Sequence, residues 1–321
     1  MKTFPIRSER AIPLTFKFVE WKIHNVCNYN CSFCGDRHKD GSQRWFTLEQ
    51  YKEVIDKLIK LSGTQKLWIH ITGGEPTLFP GLLELLVHMK SQGAYVSLAS
   101  NGIRTTRWWV ELRDAKVLDS LFITQHSEQD FNYQRTAELV NLFHDEPVEV
   151  SSLVTHDRTS IDRAFIAYDY LQQNTGGYVL LKAMNIKAYD LYSLYTSEQL
   201  DKIRNSFGNG LLPGKKKSLV PEQDKLNYRL RIHDNQGGER LIGAVGLMKN
   251  KENVFTGWDC EAGQNQMRID YDTIYRGICE IGGLQKITDE AISFASDTIK
   301  CTKEDCVCLM DLISTKTRPK E

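Results

Sequence analysis

The chain has 321 residues, enough for one large or two ordinary domains, and 41% of them are hydrophobic, enough for a sizeable core. Lys+Arg and Asp+Glu each number 41 and the formal net charge is zero, so there is neither a basic footprint for nucleic acid nor an acidic tail. No apolar run approaches the roughly 18 residues of a membrane span, and MKTFPIRSER has no apolar signal core, which points to a cytoplasmic chain in a reducing compartment with no membrane partner.

In chain order, Phe16 to Ile23 alternates and predicts a first strand, followed at once by a loop carrying Cys27, Cys31 and Cys34. Thr47 is placed to cap a helix reaching Leu61. Leu67 to Thr72 predicts a buried strand, and Pro80 opens a helix that ends near Gly93. The remaining pattern predicts strands over Tyr95 to Ala99, Val117 to Thr124, Val148 to Val154 and Tyr178 to Met184. Helices are predicted between them over Thr105 to Arg113, Phe131 to Phe143 and Ser160 to Gln173. Strands alternating with helices imply βαβ units, a parallel sheet and an α/β fold. Six units fall short of the eight of a closed barrel, so residues 1–190 are expected to form a partial (β/α)6 TIM-like barrel. In such folds the chemistry lies at the C-terminal ends of the strands, which is where the three-cysteine loop leaves strand one.

Residues 191–227 are expected to be a linker: a capped helix over Thr196 to Phe207, then a Gly/Pro-rich stretch in which Lys215 to Lys217 read as a solvated loop. Residues 228–321 turn to short strands. Arg229 to His233 and Arg240 to Leu247 alternate, and Gln266 to Asp270 and Ile274 to Ile278 flank a hairpin turn at Tyr271-Asp272-Thr273. A helix is expected over Thr288 to Ile299.

The cysteines carry the chemical signal. Eight fall into two groups, Cys27, Cys31 and Cys34 near the start and Cys260, Cys279, Cys301, Cys306 and Cys308 near the end. Three thiolates this close in sequence can hold one soft metal centre. Iron–sulfur clusters are normally held by four thiolates, so a cubane on this loop alone leaves one iron open to a substrate or cofactor. The rivals are a disulfide with a free thiol, disfavoured in a reducing compartment, and a structural zinc with His24 or His38 as fourth ligand. Strand two ends in Thr72-Gly73-Gly74-Glu75-Pro76. Its glycines let backbone approach a ligand closely, and its bland reading is an ordinary βα turn. Strand three ends in Ser100-Asn101-Gly102, whose polar side chains can meet sugar hydroxyls or simply shape a turn.

Taken together, Cys-x3-Cys-x2-Cys after strand one, Gly-Gly-Glu-Pro after strand two and Ser-Asn-Gly after strand three resemble the radical S-adenosylmethionine (radical SAM) superfamily, over Lys17 to Met184. The resemblance implies that Cys27, Cys31 and Cys34 bind three irons of a [4Fe–4S] cluster whose fourth iron is chelated by the amino and carboxylate groups of S-adenosylmethionine. It implies that Gly73, Gly74 and Glu75 hold the methionine ammonium, that Ser100 and Asn101 meet the ribose or carboxylate, and that Phe33 lies near the adenine. The fourth and fifth strands are expected to end in Gln125-His126 and Ser151-Ser152, positions such proteins often use, and Ser152 is counted among the cofactor-binding candidates. The chemistry implied is reductive cleavage of the cofactor to a 5′-deoxyadenosyl radical that abstracts a substrate hydrogen.

The C-terminal region looks like the auxiliary-cluster domain of the SPASM/Twitch branch, in the shortened Twitch form with one further [4Fe–4S] cluster. Four of Cys260, Cys279, Cys301, Cys306 and Cys308 would ligate it, and the fifth would be a spare ligand, a hydrogen-atom donor (Cys308 being the candidate) or structural. Implied partners are a flavodoxin- or ferredoxin-type electron donor and a peptide or small-metabolite substrate that is oxidised, crosslinked or epimerised. With a first strand near residue 16, no N-terminal leader-binding domain is expected. The alternatives are modification of a nucleotide or nucleic-acid base, and a non-catalytic zinc-binding interaction protein.

Overall fold

The computed structural model describes residues 3–11, 14–129, 132–146, 149–156, 160–183, 196–199, 201–202, 229–277, 283–306 and 308–319. Its first strand, β1 (Pro5–Arg10), precedes the one expected to be first. PIRSER has no apolar alternation; its pairing partners lie more than 200 residues away and are described below. Contacts divide the chain into two compact units, each discontinuous in sequence: Trp21–Ile55 with Ile69–Pro221, and Met1–Glu20 with Asp56–Trp68 and Glu222–Glu321. This differs from contiguous blocks, since the first strand and part of the first long helix group with the C-terminal residues. Of the expected linker, only 196–199 and 201–202 are described.

The first unit carries the βα repeat. β2 (Phe16–Lys22) and β3 (Lys66–Thr72) each begin in one unit and end in the other, with α1 (Leu48–Ser62) between them. Then follow α2 (Leu82–Ser91), β4 (Tyr95–Ser100), α3 (Thr106–Asp114), β5 (Ser120–His126), α4 (Tyr133–Leu142), β6 (Glu149–His156), α5 (Ile161–Asn174) and β7 (Tyr178–Ala183). Strand order follows chain order from β2 to β7, and β4–β5, β5–β6 and β6–β7 pair in parallel. Among the described residues β7 ends the row and no closed barrel forms. The sheet is a partial barrel of the expected kind.

Local chemistry explains the starts of the helices. Gln50 N donates to Thr47 Oγ1 at 3.3 Å while Thr47 N donates to Gln50 Oε1 at 3.0 Å, a reciprocal capping box ahead of α1. Thr105 accepts from Trp108 N and Asn132 from Arg135 N, satisfying orphan amides of α3 and α4. Ile69, Ile71, Val96, Leu98, Leu121 and Ile123 are fully buried, as are Leu82, Leu85, Leu86, Met89 and Trp109 on the helices. Burying such side chains contributes about 1.5–3 kcal/mol each before entropy is counted. Among the described residues no helix is long and apolar enough to cross a membrane.

The second unit is built on antiparallel pairing. It contains β8 (Arg229–Asp234), β9 (Glu239–Gly243), α6 (Ala244–Lys249), β10 (Asp259–Cys260), β11 (Gln266–Asp270), β12 (Thr273–Tyr275), β13 (Gly283–Lys286), β14 (Ile299–Lys300), α7 (Leu309–Leu312) and β15 (Lys316–Thr317). One sheet runs β14-β10-β15-β1-β8-β9, with Ser8 of β1 opposite both Lys316 and Ile232. The expected hairpin is β11–β12, turning through Tyr271 at φ 59°.

Two expectations fail here. Arg240 to Leu247 is not one strand: β9 stops at Gly243 and α6 begins, because Ala-Val-Gly-Leu-Met-Lys continues from an extended glycine into a helical turn. Thr288 to Ile299 is not a helix. Its amides bond to distant residues, Ser293 N to Gln285 Oε1 and Ala295 N to Gly263 O, in place of carbonyls four residues back.

Candidate active site

The three-cysteine loop leaves the C-terminal end of β2 and is fixed from three sides. Asn25, fully buried, donates through Nδ2 to Arg37 O at 2.9 Å and Asp40 Oδ1 at 2.6 Å, and accepts from Gln43 N at 2.8 Å. This folds Asp36 to Gln43 back under the loop. Lys39 Nζ donates to Cys31 O at 2.8 Å. From the end of β5, Glu128 accepts from Ser32 N and Ser32 Oγ, and Gln129 Nε2 donates to Asn30 O at 3.2 Å.

The thiols lie close enough to act on one another electrostatically. Burial raises all three above the usual cysteine range, and Cys31, beside the Glu128 carboxylate as well, is pushed up to about 12. A metal centre that binds them must displace protons. Tyr29 N donates to Cys27 Sγ at 3.4 Å, and His126 Nδ1 lies 3.5 Å from Cys31 Sγ. Among the described residues no three His, Cys, Asp or Glu side chains gather as the ligands of a single ion do, whereas thiolates at the corners of a cubane stand further apart than the ligands of one zinc. The histidines suggested for zinc have other partners: His24 Nδ1 accepts from Val26 N, and His38 Nε2 accepts from Arg37 Nε.

Beside the loop, Gly73 and Gly74 meet it backbone to backbone. Gly74 N donates to His24 O at 2.8 Å and Glu75 N to Val26 O at 2.9 Å. A Cβ on Gly74 would stand 2.3 Å from Val26 O, and one on Gly73 2.6 Å from His24 O. Only glycine permits this approach.

Glu75 occupies a different role from the one expected. Its carboxylate, 1% exposed, accepts through Oε1 from Thr77 N, Thr77 Oγ1 and Ser100 Oγ, and through Oε2 from Asn101 N at 2.7 Å. A carboxylate has about four acceptor sites, so this one is largely spent on tying the turn after β3 to the end of β4. Burial raises its pKa, and the four hydrogen bonds oppose the rise. Ser100 is likewise turned inward: Oγ donates to Glu75 and accepts from Gly102 N, and the residue is 3% exposed. Asn101 faces the loop, with Nδ2 donating to Asn28 Oδ1 at 2.9 Å. It lines a cavity of about 100 Å3 together with Tyr29, Gln125, His126 and Arg135. Phe33 stacks on His126, ring centroids 5.9 Å apart and planes 11° from parallel.

Ser152 lies four residues before the end of β6, opposite Ile123 and Val179, so Ser151-Ser152 is mid-strand and not a strand end. Its side chain lies outside what the structure describes. Glu128, Gln129 and Lys39 were not picked out from sequence, since polar residues in loops carry no periodic signal.

The second unit holds the other cysteines. Cys260, Cys301 and Cys306 are buried and close enough for their thiols to interact, whereas Cys308 has Asp311 and Glu20 as its electrostatic neighbours. Burial raises Cys260, Cys306 and Cys308, the last two to about 12. Backbone bonds pin the group: Cys301 N to Trp258 O at 2.8 Å and Cys306 N to Asn253 O at 2.8 Å. Cys279 lies outside the described residues.

Residues 21–150 match the family model of the radical SAM superfamily. The chain is 24% identical over 215 residues to GTP 3′,8-cyclase of Actinobacillus succinogenes, covering 64% of this chain and 58% of that one. It is 32% identical over 100 residues to a probable GTP 3′,8-cyclase of Pyrobaculum aerophilum, 30% of this chain and 31% of the relative. It is also 32% identical over 107 residues to PqqA peptide cyclase of Bradyrhizobium diazoefficiens, 33% and 27% of the two chains. The chain therefore spans between about a quarter and three fifths of the curated relatives it matches. Among solved structures, anSMEcpe with bound AdoMet superposes with a TM-score of 0.56 at 14% identity, over 86% of this chain and 79% of that one. Streptococcus suis SuiB bound to S-adenosylmethionine gives 0.52 at 12% identity, over 86% and 64%. These likenesses establish the fold.

Proposed function

Because residues 21–150 match the radical SAM superfamily model, we propose that the chain is an enzyme of that superfamily that uses a [4Fe–4S] cluster held by Cys27, Cys31 and Cys34 together with S-adenosylmethionine. When bound, these supply a 5′-deoxyadenosyl radical for hydrogen abstraction from a peptide or small metabolite. The observation that carries the reading is the joining of three motifs at adjacent strand ends: the cysteine loop, the glycine turn packed on its backbone, and the β4 turn held by Glu75.

The chain's own residues have distinct tasks. The three thiolates hold the cluster, and Lys39, Glu128 and Gln129 keep their loop in one geometry. Gly73 and Gly74 let the turn after β3 pack on the backbone of the cysteine loop, where backbone carbonyls would meet the methionine ammonium. Asn101 and the cavity beside Gln125 and Arg135 receive the nucleoside end, with Phe33 and His126 forming one wall. Four of Cys260, Cys279, Cys301, Cys306 and Cys308 ligate an auxiliary [4Fe–4S] cluster within residues 228–321, with Cys260, Cys301 and Cys306 as its grouped thiols. A flavodoxin- or ferredoxin-type protein supplies the electron.

Cys31→Ala tests the centre: anaerobically reconstituted wild-type protein with dithionite should form 5′-deoxyadenosine, and the variant none. Undiminished formation in the variant would sink the assignment. A second reading, a nucleotide substrate, is favoured by the names of the relatives, which include several GTP 3′,8-cyclases and a nucleotide dehydratase. Deoxyadenosine formation stimulated by GTP or another nucleoside triphosphate would select it over the peptide or metabolite reading.

A further inference from the structure

Lys316 is 1% exposed, yet it carries an ammonium into the core of the second unit. Its three protons are accounted for. Nζ donates to the backbone carbonyls of Asp311, Leu312 and Ser314, and lies 5.0 Å from the centroid of the Phe255 ring. None of these partners carries a net charge. Among the described residues no carboxylate stands within ion-pair distance of Nζ. Asp311 contributes its carbonyl to Nζ, while its carboxylate is met by Gln266 Nε2 at 3.5 Å. Desolvating an ammonium costs several kcal/mol unless an anion compensates it, and carbonyl dipoles satisfy hydrogen bonds without supplying that anion.

Two kinds of group stand near: the buried Asp311 carboxylate, which acts on Cys260 and Cys306 as the ammonium does, and the thiols themselves. On the β10–β15 ladder Cys260 is the register partner of Lys316. The ammonium also acts on Cys306, and Cys301 completes the group. A cation with its donors filled by carbonyls cannot swing away to solvent, so the arrangement is a fixed positive charge built against a set of cysteines.

Resting on the auxiliary-cluster reading, we infer that Lys316 is the built-in counter-charge of that cluster, a positioning residue that offsets the negative charge of the thiolate-ligated iron and makes its one-electron reduction easier. The charge acts through space on the cluster, and Lys316 is not a ligand.

The test is potentiometric titration with electron paramagnetic resonance, alongside iron counting, on reconstituted full-length protein. Wild type should hold about eight irons; about four would remove the auxiliary-cluster reading itself, separately from the inference. With eight present, Lys316→Met, and Lys316→Gln, which keeps a donor for the carbonyls, should lower the auxiliary potential enough to disfavour its reduction by about tenfold or more. The signal of the first cluster should stay in place, and Lys316→Arg, which keeps the charge, should stay near wild type. Neutral variants that keep about eight irons at an unchanged potential would overturn the inference. If the neutral variants lose only the auxiliary irons, retention of about eight by Lys316→Arg supports the charge role. Equal loss in Lys316→Arg assigns Lys316 to shape alone and overturns it.

Discussion

At the scale of single residues, Glu75 decides how the site is assembled. One buried carboxylate gathers donors from Thr77, Ser100 and Asn101, so two strand-end turns share one acceptor. Glu75→Gln can keep one oxygen, and Oε1, with three donors, is the one that holds it. The new amide then points its own protons at Asn101 N, leaving that amide without an acceptor. An unsatisfied buried donor costs about 1–3 kcal/mol. The variant should melt lower by that measure, and its affinity for S-adenosylmethionine should fall about tenfold, the equivalent of roughly 1.4 kcal/mol. Differential scanning fluorimetry and calorimetric titration check the two effects; an unchanged affinity would show that the Asn101 turn does not shape the cofactor site.

At the scale of elements, the βα repeat was legible and the tertiary pairings were not. Helix α1 begins where Thr47 foretells, because a capping hydroxyl acts within its own turn, and α3, expected from Thr105, begins one residue later with Thr105 as its cap. β1 was missed because PIRSER becomes a strand through Lys316 and Ile232, which no local window contains. Thr288 to Ile299 was misread because tertiary acceptors at Gln285 and Gly263 outbid the helix. In the site, the motif positions were legible and the direction of their side chains was not. Ser100 faces inward to Glu75, and Glu128, which holds the loop from beyond β5, sits in no periodic pattern. Contact between elements also predicts a mutational effect. A methyl on Gly74 would press on the carbonyl of Val26, backbone against backbone, with no flexible side chain to yield. Gly74→Ala should cost about 1–3 kcal/mol, and it should displace the cysteine loop far enough to lower iron loading of the first cluster. The visible absorption of reconstituted protein reads this directly; full loading would show that the turn and the loop can part without harm.

At the scale of the whole molecule, buried imidazoles link stability to pH. Burial holds His24 down to about 4, so it stays neutral in the folded chain while an unfolded chain protonates it near 6.5. Between those values the unfolded state binds more protons than the folded one, so stability is full above pH 6.5 and falls as pH drops towards 4. A shift of this size corresponds to about 3 kcal/mol, a sizeable part of the 5–15 kcal/mol of a typical domain. His126 is held down to about 4 by burial as well and adds in the same direction. Glu75 opposes them: with its pKa raised by burial, it takes up a proton at higher pH folded than unfolded, and acid relieves part of its cost. His24→Asn isolates one contribution, since an amide oxygen can accept from Val26 N in place of Nδ1 and does not titrate. The difference in melting temperature between wild type and His24→Asn, followed by circular dichroism from pH 7 to pH 5, should shift steadily in favour of the variant as pH falls. A difference that stays constant across that range would mean that His24 protonates as readily in the folded chain as in the unfolded one, and the source of acid sensitivity would then lie with His126 and the cysteine loop it touches.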